Sequence, residues 1–339
     1  MAAETVMRVG VAIVASLLMW LGAAPASAQF DIHFFAVWCA HDDEIAAGDR
    51  AALDQAGLDF ARRIVDGDLD GAFSQLTPEA AHAMGRDGFA SALRSIVSLV
   101  SPFQDPVIRR TLLLTGAEKG GGAMPCGTFD PAEGKVTVRY GKAAKQGYAV
   151  IEGKSGHQRW TFVLWMIAGP DWRVAHFQAA LTTIAGRSVT DLLNAARIER
   201  DKGHAFTATL LYDWAGILAD RGPNLQIALQ SDIRKEAAAS PLQRPQELQG
   251  PWPRTWTLGG QAFTIGELGL YDLDGQLFLK LVQEVGPWTG DSDADQRNRR
   301  LIQAFATAFP DYAAVFAGLA VFARDETGAR IYRTIDRHS

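Results

Sequence analysis

The chain has 339 residues, of which 48% are hydrophobic and 21% are charged, and its formal net charge is −5. These fractions are typical of a globular protein, and the length predicts two domains at about 100–200 residues each. A mildly acidic chain without a basic cluster is not expected to bind nucleic acid. The apolar runs of the globular part, 161–169 and 313–323, are too short to span a bilayer.

Residues 1–28 have the layout of a secretory signal peptide. Arg8 supplies a positive charge, the run 9–21 is apolar, and Ala28 ends a small-residue A-S-A site. An uncleaved membrane anchor is the alternative, but the run is shorter than the roughly 20 residues that a spanning helix needs. The sequence therefore predicts cleavage between Ala28 and Gln29, export to the periplasm or beyond, and no stable membrane span afterwards.

The chain has two cysteines, Cys39 and Cys126. In an exported protein an even number of cysteines favours a disulfide, although two separate buried thiols are the alternative. Neither cysteine belongs to a C-x-x-C pair, which argues against redox catalysis. Cys39 falls in an N-terminal arm, 29–47, whose fold the sequence does not indicate.

Helical periodicity begins at Ala46 and predicts three helices before residue 101. The first carries Leu53, Phe60 and Ile64 on one face, and a short second helix follows over 69–76. Thr77-Pro78 has the pattern of an N-cap followed by proline at the first helical position. A further helix is predicted from Phe89 to the proline at 102.

The period then changes to two, which predicts strands over 110–116, 135–140, 147–152, 158–168 and 172–181. In the fourth strand Trp160 and Met166 fall on one face and Trp165 on the other. Because both faces are apolar, this strand is either covered on both sides or lines an apolar cavity on one.

The segment VDGDLDGAFSQLTP, from Val65 to Pro78, resembles the helix-to-helix connection of the nuclear transport factor 2-like (cystatin-like) superfamily. The run GYAVIE from Gly147, the strand 160–167 and the run DWRVAHF from Asp171 resemble the closing strands of its exported members of unknown function. The resemblance covers residues 48–183. It implies a cone-like α+β domain over 48–185, with helices on a curved antiparallel sheet around an apolar pocket. The superfamily includes binding proteins, isomerases, dehydratases and hydrolases, so the fold does not fix the function.

Four aromatic residues are candidates for lining such a pocket: Tyr148, Trp160, Trp165 and Trp172. The simpler interpretation of the tryptophans is core packing, because large aromatic side chains dominate protein cores. His176 is the candidate catalytic residue, since the last strand of the cone lines its interior. A general base there would need a nearby carboxylate or tyrosine, and Glu152 and Tyr148 are the possible neighbours.

Three further segments follow the cone. Residues 186–240 predict a helical segment, including a third helix capped by Asn224. Four prolines mark a linker over 241–253. Residues 254–339 predict a small α+β domain, with hairpin turns at Gly259-Gly260 and Asp274-Gly275, a helix over 293–309, and closing strands over 315–323 and 329–335.

No motif predicts a metal or a cofactor. Asp66, Asp68 and Asp70 match the first half of a calcium loop, but Thr77 stands where a bidentate glutamate is required. A polar turn with helix-capping aspartates is the favoured interpretation. The seven histidines include no pair with metal-binding spacing.

The sequence thus favours an exported, non-catalytic binding or scaffolding protein with a small apolar ligand. One alternative is an isomerase, dehydratase or hydrolase of the cone fold that uses His176 as its general base. The other is an envelope assembly module that forms homodimers through the open sheet.

Overall fold

In a computed structural model, residues 37–338 are described. Over this range the protein has an α+β fold built from seven helices and three sheets. The predicted signal peptide, the Ala28–Gln29 cleavage site and residues 29–36 of the predicted arm lie outside the described residues. The predicted fold class is confirmed.

The first part of the fold places three helices against one face of a six-stranded antiparallel sheet. The sheet has the order β1-β2-β5-β6-β7-β8, while β3 and β4 form a separate hairpin. The elements in chain order are β1 (Trp38–His41), α1 (Ala47–Asp66), α2 (Leu69–Ser74), α3 (Pro78–Val100), β2 (Gln104–Ala117), β3 (Gly122–Thr128), β4 (Lys135–Tyr140), β5 (Ala143–Ser155), β6 (Gln158–Ala168), β7 (Trp172–Ile184) and β8 (Arg187–Ser188).

Local sequence signals set the helix boundaries. Gly67 ends α1 with a φ of +70°, a left-handed conformation that glycine adopts without steric cost. Thr77 caps α3 by accepting a hydrogen bond of 3.2 Å from the Ala80 amide, and Pro78 occupies the first helical position, as predicted. The helix predicted from Phe89 is the later part of α3, whose backbone is interrupted at Gly85 (φ +66°).

Side chains between the three helices and the sheet form what we call the helix-side core. Its buried members include Leu53, Phe60, Ile64, Phe89, Leu93, Ile151, Trp160, Phe162, Leu164, Met166 and Val174. Phe60 and Phe89 both meet Phe177 edge to face, with ring centroids 5.3 and 5.7 Å apart. Such contacts hold α1 and α3 on β7 of the sheet.

The opposite face of the same sheet is covered by the next part of the chain. This part comprises α4 (Val189–Asp201), α5 (Ala205–Leu218), β9 (Leu225–Ile227) and α6 (Ala228–Ala238). β9 pairs with β4, which completes a second sheet in the order β3-β4-β9. Tyr148, Val150 and Val163 of the six-stranded sheet are buried together with these elements in what we call the outer core. The strand β6 is therefore covered on both faces.

One helix boundary predicted from the sequence was wrong. Asn224 does not cap a helix, because Leu225–Ile227 is a strand that pairs antiparallel with Val136–Val138. Leu225 and Ile227 are buried whereas Gln226 is exposed, which is the period-two pattern of a half-buried strand. The helix begins only at Ala228. Three residues are too few for that alternation to be separated from a helical pattern in the sequence.

The last part of the chain forms a five-stranded sheet in the order β10-β11-β12-β13-β14. Its elements are β10 (Arg254–Leu258), β11 (Gln261–Leu273), β12 (Gln276–Glu284), α7 (Asp291–Ala308), β13 (Gly318–Arg324) and β14 (Ile331–Arg337). Both predicted hairpin turns are present. All four turn residues have positive φ, between +55° and +78°, as a two-residue turn of this kind requires.

α7 crosses between β12 and β13, which pair in parallel. Asn298 on this helix is fully buried, and its side chain is satisfied by Gln283, Thr334 and the carbonyls of Val321 and Tyr332 at 3.0–3.2 Å. A buried amide is stable only when its polar atoms are paired in this way. These bonds hold α7 in one register over the sheet.

The outer core continues through the predicted linker into the five-stranded sheet. Phe206 of α5 packs against Trp256, Phe305 and Phe309, with the last ring centroid 4.2 Å away. Leu248, in the proline-rich stretch, is also buried. A nick in that stretch would leave the two pieces held together by shared apolar contacts. The predicted segment boundaries of 185, 240 and 253 stay predictions.

The predicted disulfide is present. Cys39 of β1 and Cys126 of β3 are bonded, with their Cα atoms 5.6 Å apart and a sequence separation of 87. The bond ties the edge of the six-stranded sheet to the β3-β4 hairpin.

Two of the three aspartates of the half calcium loop, Asp68 and Asp70, have helix or ion-pair partners. Asp68 accepts a hydrogen bond of 2.9 Å from the Gly71 amide at the start of α2, and its carboxylate lies 2.6 Å from the Arg63 guanidinium. Asp70 pairs with Arg86. These contacts agree with the polar-turn interpretation.

Candidate functional site

Three of the predicted site residues lie in one row across the outer face of the six-stranded sheet. Tyr148 on β5 is opposite Trp165 on β6, which is opposite His176 on β7. The Tyr148 and Trp165 rings are nearly parallel, with centroids 6.4 Å apart. The Trp165 indole nitrogen donates to Gln146 at 2.9 Å, and the same amide oxygen accepts from the Gly141 amide.

The other two tryptophans lie on the helix side. Trp160 is buried in the helix-side core, and Trp172 is half-buried at its edge. The predicted separation of Trp160 and Trp165 onto opposite faces of β6 is therefore observed, and the sheet does not bring the five predicted residues into one site. The assignment of a ligand to any of them stays a prediction.

Tyr148 is fully buried and His176 is half-buried. Burial lowers the pKa of His176, and burial raises the pKa of Tyr148, so both groups are uncharged near neutral pH. The Tyr148 hydroxyl donates to the carbonyl of Arg139 at 2.6 Å, and the carbonyl of Asn224 lies 3.1 Å from the same hydroxyl. Glu152 lies four residues along β5 and is paired with Arg159 at 3.0 Å. Within residues 37–338, no carboxylate is bonded to His176.

Substitution of the two central tryptophans tests which face of β6 has open space. We expect Trp160→Ala to lose about 3–5 kcal/mol, because a void would remain in a packed core. Trp165→Ala should lose clearly less, because Trp165 is only half-buried. Thermal unfolding of both variants, with binding of an apolar dye, measures the difference. Large and equal losses at both positions without a change in dye binding would mean that neither face lines an apolar site.

The structure shows a separate cleft of about 310 Å³ where the proline-rich stretch passes over α5 and the end of α6. One turn and a half of α5 forms one wall, with Ala208, Thr209, Tyr212 and Asp213. The facing wall consists of Ala237, Ala238, Ser240, Leu242 and Arg244. The side chains of Ala208 and Ala237 are small, which leaves open space between the two walls. The volume is at the lower end of the range of about 300–1,000 Å³ that small-molecule pockets occupy.

Asp213 and Arg244 form a two-pronged ion pair across the cleft. The Arg244 Nη1 and Nη2 atoms lie 3.0 and 2.6 Å from the two Asp213 carboxylate oxygens. Arg244 also donates to the Leu248 carbonyl at 3.0 Å. This parallel geometry is the most directional that a guanidinium and a carboxylate can form. It holds the proline-rich stretch against α5.

A network behind Tyr212 stiffens the α5 wall. The Tyr212 hydroxyl donates to Glu236 at 2.8 Å, and Arg197 contacts both oxygens of the same carboxylate at 2.8 and 2.6 Å. Arg200 donates a further hydrogen bond of 3.1 Å to the Glu236 carboxylate. The bonds from Arg197 lower the pKa of Glu236 to about 2, whereas burial raises that of Tyr212 to about 12. Three helices, α4, α5 and α6, thus meet at one carboxylate.

The depressed pKa of Glu236 predicts a stability loss in acid. A carboxylate of this kind contributes stability above its ordinary pKa of 4.5, and the contribution is lost as the pH falls through about 2. Glu236→Gln should flatten the stability profile between these two values. Thermal unfolding from pH 2 to pH 6 checks this, with Glu79→Gln, an exposed glutamate of α3, as the control. A profile of Glu236→Gln that coincides with the wild-type profile would contradict the assignment.

Sequence reasoning missed the cleft entirely. Its residues come from α5, from the end of α6 and from the irregular stretch that follows, and no spacing rule connects Asp213 with Arg244. The available signal was the small residues Ala208 and Ala237–Ala239, since alanine on facing helices leaves room beside the backbone. That signal is common in helices that have no cleft.

No protein-family model matches the chain, and no curated protein or solved structure is significantly similar to it. Within residues 37–338, no group of three or more His, Cys, Asp or Glu side chains is arranged to hold a metal ion. No helix in the described part of the chain combines the length and the apolarity needed to cross a membrane.

Proposed function

We propose that the chain is an exported, non-catalytic binding protein with a nuclear transport factor 2-like domain, and that its ligand occupies the cleft between α5, α6 and the proline-rich stretch. Export is supported by the signal-like N-terminal sequence and by the disulfide, because such bonds persist in oxidising compartments. The proposed family is supported by three helices packed on a curled antiparallel sheet.

The observation that carries the proposal is the cleft itself. It is concave, lies between two separately anchored walls, and combines apolar side chains with a few fixed polar groups. The small apolar ligand predicted from the sequence would lie between the helices and the sheet of the cone, and that location has less support than the cleft. Phe162, Leu164 and Met166 are almost fully buried there and pack directly against the helices.

The two alternative functions have less support. A homodimer through the open sheet would need an uncovered face, but Tyr148, Val150 and Val163 on that face are buried by the chain's own helices. An enzyme that uses His176 as its general base would need a group that orients the imidazole. Among the described residues, no carboxylate is bonded to His176.

Native mass spectrometry of protein purified from the periplasm tests the proposal. We expect the chain to begin at Gln29 and to carry a small molecule. Thr209→Trp should lose that molecule because the indole fills the cleft. Ala52→Trp, at an exposed position of α1, is the matched control and should retain it. A ligand-free wild-type chain, or a ligand kept by Thr209→Trp, would contradict the proposal.

A further inference from the structure

The charged groups of the cleft balance each other. Among its lining residues, Asp213 is the only acid and Arg244 the only base, and each neutralises the other at 2.6–3.0 Å. Glu236 behind the wall is balanced by Arg197 and Arg200. A charged ligand would have to compete with this half-exposed pair or enter without a counter-charge, so the cleft offers it no net electrostatic attraction. The cleft therefore favours a ligand without net charge.

The same groups retain unused hydrogen-bonding capacity. A carboxylate offers about four lone-pair positions, and Arg244 takes two of those on Asp213. A guanidinium has five N–H donors, and three on Arg244 are used by Asp213 and Leu248. Thr209 and Ser240 add hydroxyl groups that both donate and accept. A ligand that fits this set must itself donate and accept, which is the property of a hydroxyl group.

An apolar ligand fits this lining poorly. It would remove water from Asp213, Arg244, Thr209 and Ser240 without replacing the lost hydrogen bonds, and each unpaired group carries a desolvation cost. The apolar part of the lining, Tyr212 with Leu242 and the alanines, is limited in extent. It suits the C–H surface of a small saturated ring.

We infer that the cleft binds a small, neutral polyhydroxyl compound of monosaccharide size. The ion pair and the two hydroxyl residues would recognise adjacent hydroxyl groups, and Leu242 would contact the carbon face of the ring. This inference rests on the proposed function, because it names the ligand class of the same cleft.

Isothermal titration calorimetry and ligand-observed NMR with D-glucose, D-galactose and myo-inositol test the inference. We expect saturable binding of at least one of them. Thr209→Val removes one hydroxyl and keeps the shape, and Asp213→Asn breaks the ion pair. Each should weaken that binding about tenfold, as expected for loss of a good polar contact. Asp232→Asn, in an exposed pair on α6 outside the cleft, should bind as the wild type does.

The outcomes separate the two proposals. Absence of saturable binding to all three probes would overturn the inference, and so would equal binding by Thr209→Val and the wild type. If a co-purified molecule is then found in the cleft, the binding function stands and only the ligand class is wrong. If the wild type carries no molecule and binds no probe, both fail. Circular dichroism of each variant establishes whether it is folded. If Asp213→Asn does not fold, Thr209→Val alone tests the inference.

Discussion

Arg221→Ala should lower the free energy of unfolding by about 3 kcal/mol, because it leaves a partly buried carboxylate without its partner. Arg221 is 4% exposed, and its guanidinium lies 2.8 Å from Glu133. It also donates to the Leu218 carbonyl at 2.6 Å, at the end of α5. The side chain thus joins the turn before β4 to the helix that covers the sheet. Urea unfolding measures the loss.

Two comparisons make the Arg221 result specific. Arg62→Ala removes an exposed pair with Asp59 at 3.6 Å and should cost less than about 1 kcal/mol. Combining Arg221→Ala with Glu133→Gln should cost less than the sum of the single losses, since the second change removes the uncompensated charge. A loss at Arg221 no larger than the loss at Arg62 would show that the pair contributes nothing measurable.

Replacing both cysteines with alanine should cost about 4 kcal/mol, because the disulfide closes a loop of 87 residues and restricts the unfolded chain. Cys126 is buried and Cys39 half-buried, so alanine is accommodated without an unpaired polar group. The denaturation midpoint of the double variant should fall well below that of the oxidised wild type.

Reductant provides the control for the disulfide. Dithiothreitol should lower the midpoint of the wild type towards that of the double variant and should leave the variant unchanged. Two thiols that are alkylated in freshly purified protein, or a midpoint that reductant does not move, would contradict the expectation.

Periodicity and turn chemistry predicted much of the fold. Strands 135–140 and 158–168 have the predicted bounds, since each is rich in β-branched and aromatic residues and ends at a turn. The hairpin turn at Asp274-Gly275 was predictable because it depends only on local backbone geometry, with both residues at positive φ. The short elements escaped because their stability comes from partners far away. β1 exists by pairing with Leu112–Thr115, about seventy positions later, and its own four residues carry no pattern.

The candidate site was less predictable than the fold for a related reason. Aromatic residues of strands were the leading candidates, because the alternation of a strand predicts which of its side chains share a face. Those residues proved to be divided between two cores, with Trp160 on one side of β6 and Trp165 on the other. The cleft depends on where the chain lies after α6, where Arg244 pairs with Asp213 and donates to the carbonyl of the buried Leu248. Such placement is a tertiary property.

The three residues of β9 have a practical consequence for dissecting this protein. They occupy the edge of β4, covering the backbone groups of Val136–Val138. A fragment that ends at residue 185, where the cone-like domain was predicted to end, would leave that edge bare beside the apolar side chains of Val136 and Val138. Exposed, flat, apolar edges recruit strands from other chains. Fragments intended for crystallisation or NMR should therefore include Ile227, because shorter ones are expected to associate through β4.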